Sequence, residues 1–277
     1  MGKKDLSLFR DFYEEVGKKY PEEEIVYRAL RGRLRREFIQ KHLSLWNGRL
    51  LDVGCNQGVY LRSYSGGWKV GVDVSWHVLK RIRNRRDDTT LVVADAQALD
   101  CFRACVFDFI LCSEVLEHVT LPERVMEGMF RLLIPGGKAL VTVPNYLGKR
   151  PEWEEIGIMK GYGIDGIREN LYYHTAFRPE ELVSMGREVG FQVFEKGTLE
   201  KEVKYAAKIP FLMYTLLRHL NRHTFQNPLW DHHNQRMYDA LTKGIYTLVR
   251  NTGLDPLFLK WISEGVRSYA IFERPKS

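Results

Sequence analysis

The spacing of apolar side chains divides the chain into two regions. In residues 4–46 they recur at three- and four-residue intervals, as at Phe9, Phe12 and Val16, which predicts amphipathic helices. After residue 48, short apolar runs alternate with amphipathic stretches. Such alternation is typical of strands connected by helices, so we expect an α/β fold behind an N-terminal helical extension.

Five apolar runs have the length and composition of buried strands, at 50–53, 69–74, 91–94, 107–112 and 139–143. Helices are predicted between them, at 78–86 and 122–133 among others, and a turn is predicted at Pro135-Gly136-Gly137. Strands that alternate with helices form a parallel sheet through right-handed crossovers, with helices on both of its faces.

The pattern continues with a helix at 179–189, a strand at 191–194 and a last strand at 268–272. Residues 200–265, between the last two strands, are helix-like and far longer than an ordinary loop. We therefore expect one domain, 1–277, with three parts: an N-terminal extension (1–47), a core (48–199 and 266–277) and a helical insertion (200–265).

The amino-acid composition is typical of a soluble globular protein with a net positive charge. The 277 residues are 44% hydrophobic and 28% charged. The formal net charge of +7 favours anionic partners such as nucleic acid, a membrane surface or an acidic substrate. Within residues 28–41, six bases accompany a single acid. This stretch is either an anion-facing helix or a solvated basic face, and we favour the second because charge runs are most often solvated.

The cysteines and the N-terminus indicate the compartment. The four cysteines, at positions 55, 101, 105 and 112, include no C-x-x-C pair, which favours reduced, buried thiols over disulfides or a zinc site. The chain begins with charged rather than apolar sequence, so no signal peptide is expected. The longest apolar run, 209–217, is shorter than the ~20 residues that span a bilayer. We expect a cytoplasmic protein without a transmembrane segment.

A strand, a glycine-bearing turn and the start of a helix meet in residues 50–58, LLDVGCNQG. Gly54 would let the backbone turn sharply, and Gly58 would let a ligand approach the start of the helix. The glycine spacing is G-x-x-x-G rather than G-x-G-x-x-G, which disfavours NAD or FAD.

Acidic residues follow the neighbouring strands in the same way. Asp73 ends the second strand about 20 residues past the turn, where an acid can accept hydrogen bonds from both ribose hydroxyls. Asp95 ends the third strand and is placed to contact an adenine amino group, and Ser113 and Glu114 follow the fourth. Ligands of open parallel sheets bind beyond the carboxyl ends of the strands. The set therefore predicts one nucleoside-binding site at this edge, whereas helix capping would explain any one acid alone.

Together these segments resemble the class I S-adenosylmethionine (SAM)-dependent methyltransferases, in the ubiquinone-type branch. The segment 51–58 is similar to their first motif, and Asp73, Asp95-Ala96 and FDFILCSEVLEH at 107–118 are similar to the later ones. The sequence LIPGG at 133–137 resembles their turn before strand five. The resemblance covers residues 49–199 and the last strand, and it departs from the family at Asn56, where many members carry glycine.

The resemblance implies a Rossmann-like sheet of seven mostly parallel strands, with the last strand antiparallel, and SAM as the cofactor. It implies that Asp52 and Gly54 lie by the methionine end of SAM, that Asp73 holds the ribose, and that Asp95 and Ala96 hold the adenine. The expected cofactor-binding residues are Asp52, Gly54, Cys55, Asn56, Gly58, Asp73, Val74, Asp95, Ala96, Ser113 and Glu114.

Methyl transfer requires alignment of the acceptor, and it requires a base only where the acceptor must lose a proton. The catalytic candidates are His118, Glu117 and His174. In ubiquinone-type and small-RNA 2′-O-methyltransferases, two such glutamates and the histidine, sometimes with a further histidine, hold a divalent metal; Glu114 and His174 would complete that set here. The favoured interpretation is that no metal binds, and the alternative role of Glu117 and His118 is to support the SAM pocket.

We expect the acceptor to be a small or lipid-like molecule that is methylated at oxygen, because the insertion carries a long apolar run. The segment 204–223, in which bases flank that run, is a lid over the substrate, a helix on a membrane surface, or a helix packed on the main domain. Packing is favoured, since apolar stripes are most often core. The alternative functions are an RNA 2′-O-methyltransferase, which the basic stretch suggests although no RNA-binding motif is appended, and a non-catalytic SAM-binding protein.

Overall fold

A seven-stranded sheet forms the centre of the computed structural model, which describes residues 3–83 and 88–276. The described strands are β1 (Leu50–Val53), β2 (Lys69–Asp73), β3 (Thr90–Val93), β4 (Phe107–Ser113), β5 (Leu133–Pro144), β6 (Trp153–Glu155), β7 (Leu171–Tyr173), β8 (Gln192–Leu199) and β9 (Arg267–Glu273). The order across the sheet is β3-β2-β1-β4-β5-β9-β8. The pairs from β3 to β5 are parallel, and β9 is antiparallel to both of its neighbours. The predicted Rossmann-like α/β sheet of seven strands is confirmed.

Helices surround this sheet. They are α1 (Lys3–Lys19), α2 (Glu22–Arg28), α3 (Leu30–Leu43), α4 (Val59–Ser63), α5 (Trp76–Arg83), α6 (Pro122–Leu132), α7 (Pro179–Val189), α8 (Lys201–Ala206), α9 (Lys208–Leu220), α10 (Pro228–Asn251) and α11 (Asp255–Lys260). The helix that the sequence predicts at 78–86 begins two residues earlier, at Trp76, and the predicted residues 84–86 lie outside the described ranges. Within those ranges, no helix combines the length and the apolar character that crossing a membrane requires.

Both faces of the sheet are buried, because alternate residues of its central strands enter two different cores. Ile110 and Val141 lie in the core beneath α6 and α7, whereas Leu111 and Leu140 lie in the core beneath α3, α4 and α5. Covering both faces leaves the edge formed by the strands' carboxyl ends as the place where polar groups can meet a ligand.

Two local predictions are wrong. Pro135-Gly136-Gly137 does not form a turn before the fifth strand, because β5 already starts at Leu133 and contains these residues. Gly136, with a φ of +80°, permits the register shift between β4 and β5 at this point. The cysteines are free, but only Cys55 and Cys112 are buried, whereas the other two are exposed.

The insertion forms a helical layer of its own. Its long helix α10 begins at a capped terminus, where the Asn227 side chain accepts a hydrogen bond from the backbone N–H of Leu229. In a small core, Ala206 of α8 and Tyr246 of α10 pack with Leu30 of α3. The insertion is thereby attached to the N-terminal helices.

Candidate active site

A cavity of about 600 Å³ lies at the carboxyl ends of the parallel strands, a volume typical of small-molecule sites. All but one of the expected site residues line it, including Asp52, Asp73, Asp95, Glu117 and His174. The exception is Gly58. It caps the start of α4 at a φ of +73°, and a Cβ there would meet the Ile82 side chain at 3.0 Å rather than the cavity.

The glycine turn after β1 is fixed by contacts with β2. Gly54 has a φ of +69°, and a Cβ at this position would lie 2.3 Å from Val115 Cγ2. The next residues return toward the sheet, where the backbone N–H of Asn56 donates to Asp73 Oδ2 at 2.9 Å. Because this bond joins the turn to the end of β2, the turn presents its backbone to the cavity in one defined conformation.

Two buried carboxylates face the cavity from β1 and β2. Asp73 also accepts the backbone N–H of Ser75 at 2.9 Å, and burial raises its pKa to about 6. Burial, together with the negative charge of Asp73, raises the pKa of Asp52 well above its usual range. Asp52 Oδ2 is buried and has no hydrogen-bond partner among the described residues. These acceptors fit a ligand that brings hydroxyl or ammonium donors, as the ribose and the methionine moiety of SAM do.

The end of β3 contributes a third carboxylate. Asp95 Oδ1 accepts from the backbone N–H of Gln97 at 2.8 Å, and Gln97 Oε1 accepts the backbone N–H of Leu121 at 2.9 Å. These bonds orient Asp95 beside Ala96 at the cavity wall. The contact of Asp95 and Ala96 with an adenine stays a prediction.

A buried ionic cluster at the end of β4 was not predicted. Glu114 Oε2 lies 2.5 Å from Arg35 Nη1 and 2.6 Å from Arg267 Nε, and Thr142 Oγ1 donates to Glu114 Oε1 at 3.1 Å. Burial alone would raise the pKa of Glu114, but the two arginines outweigh burial and lower it. With both oxygens engaged by these protein groups, Glu114 does not join the possible metal ligands predicted from the sequence.

Arg35 belongs to the basic stretch that we interpreted as a solvated face, and the structure differs at this residue. Its side chain is buried, and it lies four and eight residues before Ile39 and Leu43, which are also buried. This helical spacing was the available signal that Arg35 faces inward. Arg31, one turn earlier, is exposed and lines the cavity.

The three catalytic candidates come together on one side of the cavity. Glu117 and His118 lie in a 3₁₀ turn after β4, and His174 follows β7. One ligand atom from each lies within 4.8 Å of the others. The backbone N–H of Thr175 donates to the carbonyl oxygen of Glu117 at 2.9 Å, which joins the two segments. Glu154 of β6, which the sequence did not indicate, approaches His174 Nδ1 at 3.3 Å.

Burial controls protonation in this group. It lowers the pKa of His118 to about 3, with a smaller contribution from the neighbouring His174. Burial, followed by the charge of Glu114, raises the pKa of Glu117 well above its usual range. At neutral pH the site therefore holds a neutral imidazole beside a carboxyl group that resists ionisation.

Aromatic side chains of α1 and β7 enclose the catalytic candidates. The Tyr13 ring meets the His118 ring edge-on at a centroid distance of 5.5 Å, and Phe12 stacks on Tyr172 at 5.7 Å. Tyr172 itself stacks on His118 at 6.3 Å. Aromatic rings therefore form much of the wall beside the imidazole, together with the polar groups of Glu117 and His174.

Acidic residues of α1 and α2 attach these two N-terminal helices to the part of the cavity formed by the ends of β1 and β2. Ser75 Oγ donates to Glu14 Oε2 at 2.7 Å, and Asn56 Nδ2 donates to Glu22 Oε2 at 2.7 Å. Helices α1 and α2 thus cover the cavity. In contrast, the described residues at 200–265 contribute nothing to its lining, so the observed cover is the N-terminal extension rather than the insertion.

Known proteins share this fold and these motifs. Residues 51–141 match the family model of a methyltransferase domain. A ubiquinone biosynthesis O-methyltransferase of Methylococcus capsulatus is 34% identical over 167 residues, which cover 58% of this chain and 70% of that protein. An uncharacterized protein of Methanocaldococcus jannaschii is 26% identical over 210 residues, which cover 74% of this chain and 91% of that protein.

Among solved structures, the N-methyltransferase NodS of Bradyrhizobium japonicum, in complex with S-adenosylhomocysteine, superimposes with a TM-score of 0.52. The sequence identity is 13%, and the alignment covers 97% of this chain and 98% of that one. At this identity the likeness concerns the fold.

Proposed function

The chain belongs to the class I SAM-dependent methyltransferases, and we propose that it methylates an oxygen atom of a small or lipid-like acceptor bound beside His118. SAM supplies an activated methyl group on its sulfonium. The observation that carries the proposal is the grouping of the His118 imidazole with Glu117 and His174 beside the aromatic wall of the cavity. A hydroxyl acceptor must lose its proton, and a neutral imidazole can accept it.

Different residues are proposed to bind the cofactor and the acceptor, in two halves of the cavity. Asp52, Asp73 and Asp95 are proposed to hold the cofactor, while the aromatic wall of Tyr13 and Tyr172 excludes water and positions the acceptor. Positioning matters because a displacement at carbon depends on the alignment of the two reacting groups. Excluding water matters because water would otherwise compete with the acceptor.

The same three catalytic candidates also fit a divalent cation. Glu117, His118 and His174 each offer one ligand atom within 4.8 Å of the others, and carboxylate and imidazole donors suit magnesium or a transition ion. A cation held there would supply Lewis-acid activation of the acceptor hydroxyl. Activity that is lost with a chelator and restored by a metal would favour this route over proton transfer to His118 alone.

Methylation at oxygen has further support from a relative, and the RNA alternative has less. The relative from Methylococcus capsulatus is an O-methyltransferase, and it is 34% identical to this chain. The RNA alternative loses support because Arg35, in the middle of the basic stretch, is buried against Glu114 instead of forming part of an exposed anion-binding face.

Binding of SAM is tested first, by the shift that it causes in the thermal unfolding of the full chain. A ligand that binds the folded state raises the melting temperature, so SAM is expected to stabilise the wild type. Asp73→Ala should reduce this shift strongly, whereas Asp100→Ala, whose side chain is 94% exposed, should leave it unchanged. Equal shifts in both variants would contradict the proposed cofactor site.

The acceptor is then sought with labelled SAM and a panel of phenols, hydroxylated lipids, amines and short RNAs. We expect transfer to hydroxyl compounds and its loss in His118→Gln. The exposed His233 provides the matched control, since His233→Gln should retain full transfer. Transfer confined to amines or RNA would overturn the proposed acceptor while leaving the methyltransferase assignment intact.

A further inference from the structure

Helix α9 carries an exposed apolar stripe. Ile209, Leu212, Met213, Leu216 and Leu220 are each between 42% and 67% exposed. Their spacing of three and four residues places all five on one face of the helix. Single exposed apolar residues are ordinary on protein surfaces, but a contiguous stripe of five marks an interaction site.

The stripe is not the face by which α9 packs on its own domain. Pro210, Tyr214 and Asn221 occupy a neighbouring face, and these residues make the internal contacts. Tyr214 packs on Tyr238 of α10 with ring centroids 5.5 Å apart, and its carbonyl oxygen accepts a hydrogen bond from Asn234. Helix α9 is therefore already anchored, and its stripe is left facing outward. The sequence analysis favoured packing of this segment on the main domain. In the structure, the packing of α9 leaves its apolar stripe exposed.

The charges around the stripe fit an anionic partner. Residues 203–230 contain no acidic residue, but they include four bases and two histidines. Two of the bases, Arg218 and Arg222, pair with Glu155, so the positive charge beside the stripe comes from Lys204 and Lys208. Of these bases, Lys208 is exposed at the first turn of the helix. A second copy of the chain, paired about a twofold axis, would bring this basic segment against itself. An anionic phospholipid surface offers both apolar depth and the opposite charge.

The helix also has the length for lying on a bilayer rather than crossing it. Its 13 residues extend about 20 Å, less than the ~30 Å thickness of the hydrocarbon core. The stripe runs between Lys208 in the first turn and His219 in the last, and an apolar face flanked by basic residues suits a helix that lies in the plane of the interface.

We propose that α9 docks on the headgroup region of an anionic phospholipid bilayer, with its apolar stripe inserted among the lipids. Two ion pairs connect the end of this helix to β6, because Arg218 of α9 and Arg222 in the π-helical turn that follows both contact Glu155 Oε2, at 2.9 and 2.6 Å. Glu155 lies in β6 next to Glu154, which lines the cavity and contacts His174. The entry of a lipid-like acceptor into the cavity from this surface rests on the proposed function. The docking of α9 on the bilayer does not.

The test is co-sedimentation of the full chain with vesicles of phosphatidylcholine, with and without phosphatidylglycerol. The wild type should bind the anionic vesicles, and high salt should weaken the binding. Leu212→Ser with Leu216→Ser should lower the partition coefficient at least about tenfold, since burying one leucine is worth more than a tenfold step. The control is Leu45→Ser with Leu147→Ser, which replaces two leucines of similar exposure that lie neither in α9 nor in the helices packed on it, and which should bind like the wild type.

Each outcome separates docking from catalysis and from folding. A stripe variant that keeps the SAM-induced thermal shift is folded, so its failure to bind vesicles would support the proposal. Equal vesicle binding by the stripe variant and the control would overturn it. Loss of a dimer in the stripe variant, without vesicle binding by the wild type, would overturn it in favour of self-association. Vesicle binding without any SAM-induced shift would leave docking standing while the proposed function fails.

Discussion

Replacing His118 by glutamine tests whether burial keeps its imidazole neutral. Burial and the neighbouring His174 lower the pKa of His118 from 6.5 to about 3 in the folded chain. Below pH 6.5 the unfolded chain therefore binds a proton that the folded chain does not, and the wild type loses stability as the pH falls from 6.5 toward 3. For these two pKa values the loss at pH 5 amounts to about 2 kcal/mol, and at pH 7.5 it is negligible.

The assay is urea-induced unfolding of the wild type and His118→Gln at pH 7.5 and pH 5, in the presence of a chelator. Any packing defect caused by glutamine is the same at both pH values, so it cancels when the two differences in unfolding free energy are compared. The variant lacks the titrating group, and we expect its free energy of unfolding to improve relative to the wild type by about 2 kcal/mol at pH 5. His233→Gln, at an exposed position, should show no such improvement.

A pH-independent difference between His118→Gln and the wild type would refute the reasoning. It would mean that the folded chain accepts a proton on His118 as readily as the unfolded chain does. An imidazole with its ordinary pKa is still mostly neutral at pH 7.5 and can still accept a proton, so this result would refute the burial argument and not the proposed catalytic role.

Two further substitutions probe the structure around the cavity. Glu114→Gln leaves its two partner arginines without their shared counter-charge, so chemical denaturation should show a loss of about 3–5 kcal/mol, whereas Glu180→Gln, at a solvent-exposed ion pair, should be indistinguishable from the wild type. A loss no larger than that of the control would show that the cluster is not an essential part of the fold. Gly54→Ala forces a side chain into a left-handed conformation and against Val115, so it should cost at least about 1 kcal/mol and weaken the thermal shift by SAM. Gly161→Ala, which meets nothing within 4 Å, is its control, and equal stabilities of the two variants would contradict the geometry.

Part of the cavity lining was predictable because its residues lie in or directly after strands that the hydrophobic pattern identifies. Asp52, Asp73 and Asp95 stand at or directly after apolar runs, and a parallel sheet gathers the carboxyl ends of its strands at one edge. No knowledge of distant contacts was needed. Gly58 shows the limit of this reasoning, since its left-handed backbone was foreseeable but its neighbour Ile82 was not.

The ionic cluster required the tertiary structure. Arg35 lies in α3, Glu114 directly follows β4 and Arg267 begins β9, and more than 70 residues separate each from the next along the chain. Charge counting placed Arg35 in a solvated stretch, because local composition does not reveal which side of a helix another segment will cover. In the same way, only the structure brought Glu154 to His174.

Sequence periodicity, glycine positions and the acids after each strand determined the sheet, its order of elements and the family of this chain. These features depend on residues that are close in the sequence, so a single chain displays them. Tertiary packing decided which helices cover the cavity, which arginines neutralise Glu114, and that α9 leaves its apolar stripe uncovered. Burial and pKa depend on the segments that pack from afar, and no local pattern specifies those partners.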